Sequence, residues 1–542
     1  MNIVEALHEV AQKQPDTVGL KVTRTSEDDT SAVTEKTFGE MDHESDIWAT
    51  YFFEKGFSRS KTVLLLVPPG EDLLIATFAL LRLGAIPIVI DPGMGLKNFF
   101  NCVRRTKPNF FLSVPRGRLL YYLLKPFAGF EKALFLSDRL KRKLSKRNFA
   151  CTFQPETRPE DTAAVLFTSG STGHPKGAIY TYGELNAQTE ALIRTFDILA
   201  GEVDFPLLPV FSLYNPAMGL TTVLPEINPS RPSTLDPKKI IPSILKHNVT
   251  HSFGSPRLWT KLATYCEENH IQLPSVKRLF LAGAPIHPTL LKRVQALVPN
   301  GRIFTPYGAT EALPVACITA EEVLRDTYEK TLQGRGTCVG HPLPGVRVRI
   351  IPITDEALDG LPNALPTGDI GEITVSAPYI SKRYLNDDVA TKNAKIYDID
   401  GILWHRMGDV GYLDAQGRLW FCGRKKERVI TAKQTFYTDC CEAIFNAHEA
   451  VFRSALIAFK AENQIVPAIV IEPKSRLSQS ETQSLFRELR RLAKACAVTE
   501  KIRNFCVYKN FPVDVRHNAK IHRLTLMRHF AKHPRDVHTV ED

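Results

Sequence analysis

The sequence predicts an α/β protein with a large N-terminal domain of layered αβ subdomains plus a β section, and a small α+β C-terminal domain. First, a chain of 542 residues exceeds what one hydrophobic core usually serves. Second, apolar runs alternate with helical stretches, then give way to consecutive strands and finally to a new mixed pattern. Third, the composition, 44% apolar and 23% charged, is that of an ordinary globular protein.

The N-terminal part has the pattern of buried parallel strands. The runs KTVLLLVPP, AIPIVIDP and DTAAVLFTSG end in Pro, Gly or Ser, and they alternate with helical stretches such as EDLLIATFALLRLG. The first residues, MNIVEALHEVAQKQPD, are typical of a surface helix and contain no signal-peptide block. Ten cysteines without paired spacing predict reduced thiols, so we expect a cytoplasmic protein.

A mostly antiparallel β section follows, and a second domain ends the chain. The stretches LPGVRVRIIPITDE, GDIGEITVSAP and GYLDAQGRLWFCGR have a strand, turn, strand pattern. After Arg424 the pattern is mixed again, with SETQSLFRELRRLAKACA as its clearest amphipathic helix. We therefore predict domains at residues 1–424 and 425–542.

The formal net charge of +11 is concentrated in one segment. Residues 101–150 hold 13 Lys and Arg against two acids, so this segment alone carries 13 − 2 = +11. Its mixture of cations with aromatic and aliphatic residues is typical of a basic solvated face, an anionic membrane surface or a site for an acidic partner. No nucleic-acid-binding signature accompanies it, and we expect no nucleic-acid partner.

A stretch rich in hydroxyls and glycines, TSGSTGHPKG at residues 168–177, is the first candidate binding site. Its glycines let backbone N–H groups turn towards an anion, and Lys176 adds a charge that suits a terminal phosphate. The spacing does not match the Walker pattern of kinases and GTPases. The other residues of this loop are Thr168, Ser169, Gly170, Ser171, Thr172 and Gly173.

Three distant stretches supply further side chains suited to a nucleotide. TPYGATEALPV places Tyr307, Thr310 and Glu311 around a glycine turn, a set suited to stacking a base, contacting a phosphate and holding Mg²⁺. HRMGDVGYLDAQGRLWFCGRKKERV supplies Asp409, whose carboxylate can accept from both hydroxyls of a ribose. RHNAKIHRL carries Lys520 ahead of a predicted helix.

In this order, the four stretches resemble the motifs of the adenylate-forming superfamily, which comprises acyl-CoA synthetases, luciferases and peptide-synthetase adenylation domains. The resemblance covers nearly the whole chain and implies ATP and Mg²⁺ as cofactors. It also implies that the loop 168–173 and Lys176 hold the β- and γ-phosphates, that Thr310 contacts phosphate, and that Glu311 binds Mg²⁺.

The resemblance further implies a nucleoside pocket and a mobile C-terminal domain. Lys520 would be the mobile catalytic lysine, and Lys426 would be the hinge. In the implied reaction a carboxylate attacks the α-phosphate of ATP, and one well-aimed donor such as Lys520 is worth about 10²- to 10³-fold in rate. The implied adenine-pocket residues are Gly283, Ala284 and Tyr307, and the implied ribose-site residues are Asp409 and Arg424.

Two departures from the acyl-CoA synthetase pattern concern the acyl acceptor. Ser212 stands where that pattern has a histidine, and Lys433 and Gln434 occupy the region where a glycine is expected after the hinge. Long side chains there would obstruct the pantetheine arm, so CoA is doubtful as a cofactor.

Longer runs, among them GLTTVLPEINPSRPSTLDPKK, GRGTCVGHPLPGV and FPVDVRHNAKI, resemble the β-lactone synthetases of bacterial long-chain olefin biosynthesis. This resemblance implies a 2-alkyl-3-hydroxy fatty acid substrate, whose own hydroxyl displaces AMP and closes a β-lactone. It implies a pathway complex as well, with a thiolase-like condensing enzyme, an NADPH-dependent reductase and a decarboxylating α/β-hydrolase.

Two alternatives remain open at the level of sequence. A fatty acid–CoA ligase would use the same general motifs and form a thioester through the acyl-adenylate. A non-catalytic scaffold would use residues 101–150 for a peripheral membrane contact, which would make the cytoplasmic protein membrane-associated.

Overall fold

The computed structural model describes residues 2–25, 31–90, 94–146, 157–168, 174–227, 234–283, 286–462, 464–513 and 521–541. The helices are α1 Ile3–Lys13, α2 Phe38–Glu54, α3 Glu71–Arg82, α4 Leu96–Thr106, α5 Arg118–Ala128, α6 Asp138–Leu144, α7 Tyr182–Phe196, α8 Asn215–Met218, α9 Pro237–Lys246, α10 Pro256–Glu268, α11 Pro288–Leu297, α12 Ala320–Glu322, α13 Tyr328–Leu332, α14 Asp388–Ala394, α15 Thr438–Asn446, α16 Gln479–Lys494 and α17 Arg523–Lys532. The strands are β1 Val18–Thr25, β2 Ser31–Thr37, β3 Thr62–Leu66, β4 Ile86–Val89, β5 Phe110–Ser113, β6 Lys132–Phe135, β7 Thr162–Thr168, β8 Lys176–Thr181, β9 Val203–Asp204, β10 Thr221–Leu224, β11 His251–Gly254, β12 Arg278–Leu281, β13 Arg302–Ala309, β14 Ala312–Thr319, β15 Thr337–Pro342, β16 Arg347–Ile351, β17 Gly371–Ser376, β18 Lys395–Tyr397, β19 Leu403–Leu413, β20 Leu419–Arg424, β21 Val429–Ile430, β22 Thr435–Phe436, β23 Val451–Ala461, β24 Gln464–Pro473, β25 Asn504–Val507 and β26 His538–Thr539.

A six-stranded sheet, in the order β6-β5-β3-β4-β7-β8, forms one layer of the N-terminal domain. Its strands are parallel except for β8, which returns antiparallel to β7. Strands β3, β4 and β7 fall on the apolar runs that predicted buried parallel strands, which confirms that prediction. Helix α3 falls on the predicted helical stretch and buries most of its apolar residues, as a helix packed on a sheet does.

A second, larger sheet combines both of the predicted patterns. The edge strand β2 pairs antiparallel with β1, and from β1 the strands β10, β9, β11, β12 and β13 follow in parallel pairs. Strand β13 then pairs antiparallel with β14. From β14 the sheet continues through β15, β20, β19, β17 and β16 with antiparallel pairs. The predicted antiparallel β section is therefore confirmed, and it continues the same sheet.

The C-terminal part has its own four-stranded sheet, β23-β24-β25-β26, and its own apolar core. Helix α16 packs on this core through Leu485, Phe486 and Leu489, and it is the helix that the sequence predicted there. The fold class is thus confirmed: a large N-terminal α/β domain with a β section, and a smaller α+β C-terminal domain. Within the described residues, no helix is both long and apolar enough to cross a membrane.

Candidate active site

A continuous cavity of ≈ 2510 Å³ lies where the two N-terminal sheets and the start of the C-terminal part meet. One part of it lies at the carboxyl ends of the parallel strands β11 and β12, the usual ligand position in open α/β sheets. Its polar end is lined by Lys176, Thr310, Glu311, Tyr384, Asp387 and Arg424. Its apolar wall is lined by Leu185, Phe196, Leu207, Met218, Phe253 and Phe280, among others.

Thr310 and Glu311 form a two-residue hairpin tip between β13 and β14, since Ala309 pairs directly with Ala312. Gly308 is required here, because a Cβ at this position would lie 2.6 Å from the Ala312 carbonyl oxygen. Tyr180 donates a hydrogen bond to the Thr310 carbonyl oxygen. These contacts hold the tip rigidly at the cavity.

The Glu311 side chain is buried and is held by a tyrosine. The Tyr384 hydroxyl donates to Glu311 Oε1 at 2.7 Å, and the Ser381 backbone N–H donates to the Glu311 carbonyl oxygen at 3.0 Å. Burial, and then the neighbouring Glu311 charge, raise the pKa of the Tyr384 phenol far above its usual range. Tyr384 therefore stays protonated and acts as a donor, and no hydrogen bond from the described residues occupies Glu311 Oε2.

Lys176 begins β8, where it pairs with Thr168 at the end of β7, and it lines the cavity. Its Nζ lies 4.8 Å from the centroid of the Tyr384 ring. Burial lowers the pKa of Lys176, an effect opposed by the charges of Glu311 and Asp387. The structure thus brings Lys176 and Glu311 together, as the sequence predicted.

A second lysine lies near Lys176 and Glu311, and unlike Lys176 it is buried. Lys395 begins β18, and its Nζ lies 3.4 Å from Ser381 Oγ. Burial lowers the pKa of Lys395 to about 7, against the attraction of Glu311 and Glu184. Its neighbour across the strand pair, His405, donates through Nδ1 to the Ala394 carbonyl oxygen at 3.1 Å, and burial keeps that imidazole neutral by lowering its pKa.

On another side of the polar end, Asp409 connects two of the predicted residues. The hydroxyl of Tyr307 donates to Asp409 Oδ2 at 2.5 Å, and Arg424 Nη1 donates to Asp409 Oδ1 at 2.5 Å. Asp409 and Arg424 are neighbours across the β19–β20 pair. Burial raises the pKa of the Asp409 carboxyl, which Arg424 and Tyr307 oppose. Arg424 lines the cavity, and Gly283 lines it at the end of β12.

Several predicted site residues lie outside the described part of the chain. They are Ser169, Gly170, Ser171, Thr172, Gly173, Ala284 and Lys520, together with the side chain of Thr168. The predictions for these residues stay predictions.

Residues 7–385 match the AMP-binding enzyme family. The chain belongs to that family. It is 38% identical over 539 residues to olefin beta-lactone synthetase of Xanthomonas campestris pv. campestris, and 37% identical over 542 residues to that of Stenotrophomonas maltophilia. Each match covers 96% of both chains. The predicted superfamily, the resemblance to the β-lactone synthetases and the prediction of an ATP-dependent, AMP-forming enzyme are thereby confirmed.

The fold is similar to that of solved AMP-forming enzymes. O-succinylbenzoate coenzyme A synthetase from Bacillus subtilis, in complex with ATP and magnesium ion, matches with a TM-score of 0.76 at 20% identity. The match covers 96% of this chain and 99% of that chain. At 20% identity, this structural similarity establishes the fold of the chain.

Sequence reasoning missed three residues that the AMP-binding fold brings to the polar end: Arg105, Tyr384 and Lys395. Arg105 lines the cavity, and its Nη2 donates to Asp387 Oδ2 at 2.7 Å. In the sequence it was one of the 13 cations of the basic segment, with no local sign that it faces inward. Tyr384 and Lys395 follow no motif that the sequence analysis identified, so no signal distinguished them from structural residues.

Proposed function

We propose that this enzyme adenylates a long-chain 2-alkyl-3-hydroxy fatty acid with ATP and then closes it to a β-lactone, releasing pyrophosphate and AMP. One observation carries the proposal: the same cavity joins a polar end containing Lys176 and Glu311 to an extended apolar wall. Such a cavity suits a molecule with a reactive carboxylate and a long alkyl part. The near full-length similarity to two proteins named olefin beta-lactone synthetase supports this choice of substrate.

In the first step, the carboxylate oxygen of the acid attacks the α-phosphorus, and the bond to the pyrophosphate oxygen breaks. Lys176 and the loop 168–173 hold the β- and γ-phosphates, while Thr310 contacts phosphate at the hairpin tip. These groups stabilise the negative charge that develops on the departing pyrophosphate. Lys520, predicted as the catalytic lysine, contributes a further positive charge.

The residues present fit a magnesium ion bound through Glu311. Glu311 offers a carboxylate oxygen, the ligand type that Mg²⁺ prefers, and Tyr384 fixes its orientation. No group of three or more His, Cys, Asp or Glu in the described ranges could hold a metal by itself. When bound, the ion neutralises phosphate charge.

We assign the nucleoside to the part of the cavity that Gly283 and Arg424 line, next to the buried Asp409. Asp409 accepts from the ribose hydroxyls with Arg424 beside it, and Gly283, Ala284 and Tyr307 line the adenine site. Tyr307 and Arg424 support this assignment, because their hydrogen bonds fix both oxygens of the Asp409 carboxylate in place. Each oxygen keeps a lone pair for a ribose hydroxyl.

We assign the domain boundary to residues 424 and 425 and the hinge to Lys426. Lys425 is buried and donates to Glu372 Oε1 at 2.9 Å, and Glu372 is itself bound by Arg406. Lys426 is exposed. The anchored Lys425 and the exposed Lys426 beside it support a hinge at Lys426.

In the second step, the 3-hydroxyl oxygen of the same molecule attacks the acyl carbon, the bond to the AMP oxygen breaks, and the hydroxyl proton is released. An internal nucleophile held close to its target gains a large proximity advantage, which offsets the strain of the four-membered ring. The apolar wall excludes water, which would otherwise hydrolyse the adenylate.

A fatty acid–CoA ligase is the second candidate, and the segment after the hinge disfavours it. Gln434 Oε1 accepts from Lys501 Nζ at 3.1 Å, so its side chain is held in place after the hinge. Lys433 beside it is exposed. Ser212 stands where the ligase pattern has a histidine. It is buried, and it has no imidazole.

One experiment separates the two functions. Purified enzyme is incubated with ATP, Mg²⁺ and a racemic 2-alkyl-3-hydroxy fatty acid, with and without CoA, and the products are identified by mass spectrometry. We expect AMP and a β-lactone in both reactions. AMP release that requires CoA and yields a thioester would refute lactone formation.

We also propose a cytoplasmic location and a place within a reaction sequence. The substrate requires a condensing enzyme and an NADPH-dependent reductase upstream, and a β-lactone decarboxylase of the α/β-hydrolase type consumes the product. Copurification of these activities with the tagged protein tests this assembly.

A further inference from the structure

Helix α5 exposes an apolar face to solvent. Its exposed residues are Leu119, Tyr122, Leu123 and Phe127, with 72%, 67%, 52% and 38% of their surface accessible. Tyr122, Leu123 and Phe127 follow Leu119 by three, four and eight residues, so the four side chains share one side of the helix. The opposite side packs on the core through Leu124 and Ala128, which are buried. We call the exposed side the α5 face.

Cations surround the α5 face. Residues 101–130 contain six Lys and Arg and no Asp or Glu. Five of these cations are exposed: Arg104, Lys107, Arg116, Arg118 and Lys125. Arg104 places its guanidinium 5.6 Å from the centroid of the Phe127 ring, which joins the cationic and apolar parts of one surface.

The same segment borders the cavity. Arg116, Gly117 and Leu120 line it from the start of α5, and Arg104 lines it from α4. The cavity therefore extends continuously from the polar end at Glu311 to the base of the α5 face.

We propose that the α5 face docks on an anionic lipid membrane. An apolar helix face flanked by cations is the arrangement that inserts between lipid headgroups and attracts anionic lipid. A second copy of this chain is disfavoured as the occupant, because a symmetric contact would place the exposed cations of one copy against those of the other, and residues 101–130 contain no carboxylate to separate them. Charge complementarity thus favours a negatively charged surface.

Docking in this way brings the cavity next to the bilayer. An acid with long alkyl chains partitions into lipid and can then enter the cavity past Arg116 and Leu120 without crossing bulk water. This delivery rests on the proposed function, whereas the docking itself does not.

Vesicle cosedimentation tests the docking. The full chain is mixed with vesicles of phosphatidylcholine alone and with vesicles that also contain phosphatidylglycerol. We expect binding to the anionic vesicles, weakening with salt, and little binding to phosphatidylcholine. The double variant Arg118→Gln/Lys125→Gln should lower the partition coefficient roughly 30-fold. The double variant Leu119→Ser/Leu123→Ser should lower it at least roughly tenfold.

Matched controls use exposed residues elsewhere. Lys238→Gln/Lys239→Gln removes the same charge from α9, and Leu199→Ser/Leu245→Ser removes two exposed leucines; both should bind like the wild type. Equal binding to both vesicle types, or loss of binding in the controls alone, would overturn the proposal. So would sedimentation velocity that shows a dimer abolished by Leu119→Ser/Leu123→Ser without any vesicle binding.

A soluble short-chain 3-hydroxy acid separates docking from catalysis. Pyrophosphate exchange with this acid, without vesicles, should be the same for the wild type and the α5 variants, which also checks that they are folded. Failed exchange with intact vesicle binding refutes the proposed function alone. Intact exchange with failed vesicle binding refutes the docking alone.

Discussion

The polar end of the cavity is held by directional hydrogen bonds, whereas its apolar wall is held by packing. At the polar end, Glu311 is fixed by Tyr384 and by the backbone of Ser381. On the wall, Phe280 packs against Phe196 with their ring centroids 4.8 Å apart. A hydrogen bond sets both distance and angle, but an apolar contact mainly sets volume. Changes at the polar end should therefore affect the rate, and changes on the wall should affect which acid is accepted.

The largest expected effect comes from Glu311→Gln. If the polar end holds the metal through this carboxylate, loss of its charge should lower ATP–pyrophosphate exchange about 10²- to 10³-fold. Glu321→Gln is the matched control, since Glu321 is exposed beyond the other end of the same hairpin. A loss below about tenfold would contradict the role of Glu311 in catalysis.

The next effect tests whether orientation matters at the polar end. Tyr384→Phe removes the 2.7 Å hydrogen bond to Glu311 Oε1 and leaves a buried carboxylate oxygen without this donor. A hydrogen bond to a charged group is worth about 1.5–3 kcal/mol, so kcat should fall about 10- to 100-fold. The exposed Tyr397 provides the control Tyr397→Phe. An unchanged kcat would show that packing alone positions Glu311.

A third test uses the buried lysine behind the polar end. The folded state lowers the pKa of Lys395 to about 7 from an ordinary 10.5, so between these values the unfolded state binds more protons. The free energy of unfolding should therefore rise with pH across this window, by up to about 1.4 kcal/mol per pH unit. The variant Lys395→Met should lack the rise that Lys395 contributes.

Urea unfolding at several pH values between about 7.5 and 9.5 measures that slope. Lys392→Met, at an exposed position three residues earlier, should retain the wild-type slope. Equal slopes in the wild type and Lys395→Met would mean that Lys395 stays charged in the folded protein.

The smallest expected effect is on the apolar wall. Met218→Ala removes apolar contact at a partly buried position on the cavity and should raise KM for a long-chain acid about 5- to 20-fold, corresponding to about 1–2 kcal/mol. The kcat for the same acid should change little, and a short-chain acid that does not reach this residue serves as the control. A fall in kcat with unchanged KM would contradict the assignment of rate to the polar end and of acid selection to the apolar wall.

Much of the fold could be predicted from the sequence because its strands are marked by composition. Strands β3, β4 and β7 are buried on both faces, so each appears as a short apolar run bounded by turn residues. The change to antiparallel pairing was visible because turns separate consecutive strands. That the antiparallel strands continue the parallel sheet, through the β13–β14 hairpin, depends on tertiary pairing and could not be predicted.

For the site, residues within motifs were predictable and their partners were not. Lys176 and Glu311 belong to motifs whose order along the chain carried the prediction that they converge. Arg105 pairs with Asp387 across 282 residues of sequence, and nothing local marks either residue. Lys395 is buried, although lysines are usually exposed. The nearby charges of Glu311 and Glu184 oppose the cost of that burial, and only the fold brings these residues together.

The two-residue connection at Thr310 and Glu311 has a consequence for protein engineering. One residue inserted there would shift the β13–β14 register and turn alternate side chains to the opposite face of the sheet. Loop exchange between related enzymes should therefore keep the length of this turn constant. Variation intended to alter substrate range belongs on helices α7 and α8, where side-chain size can change without moving the backbone that carries the acidic residue.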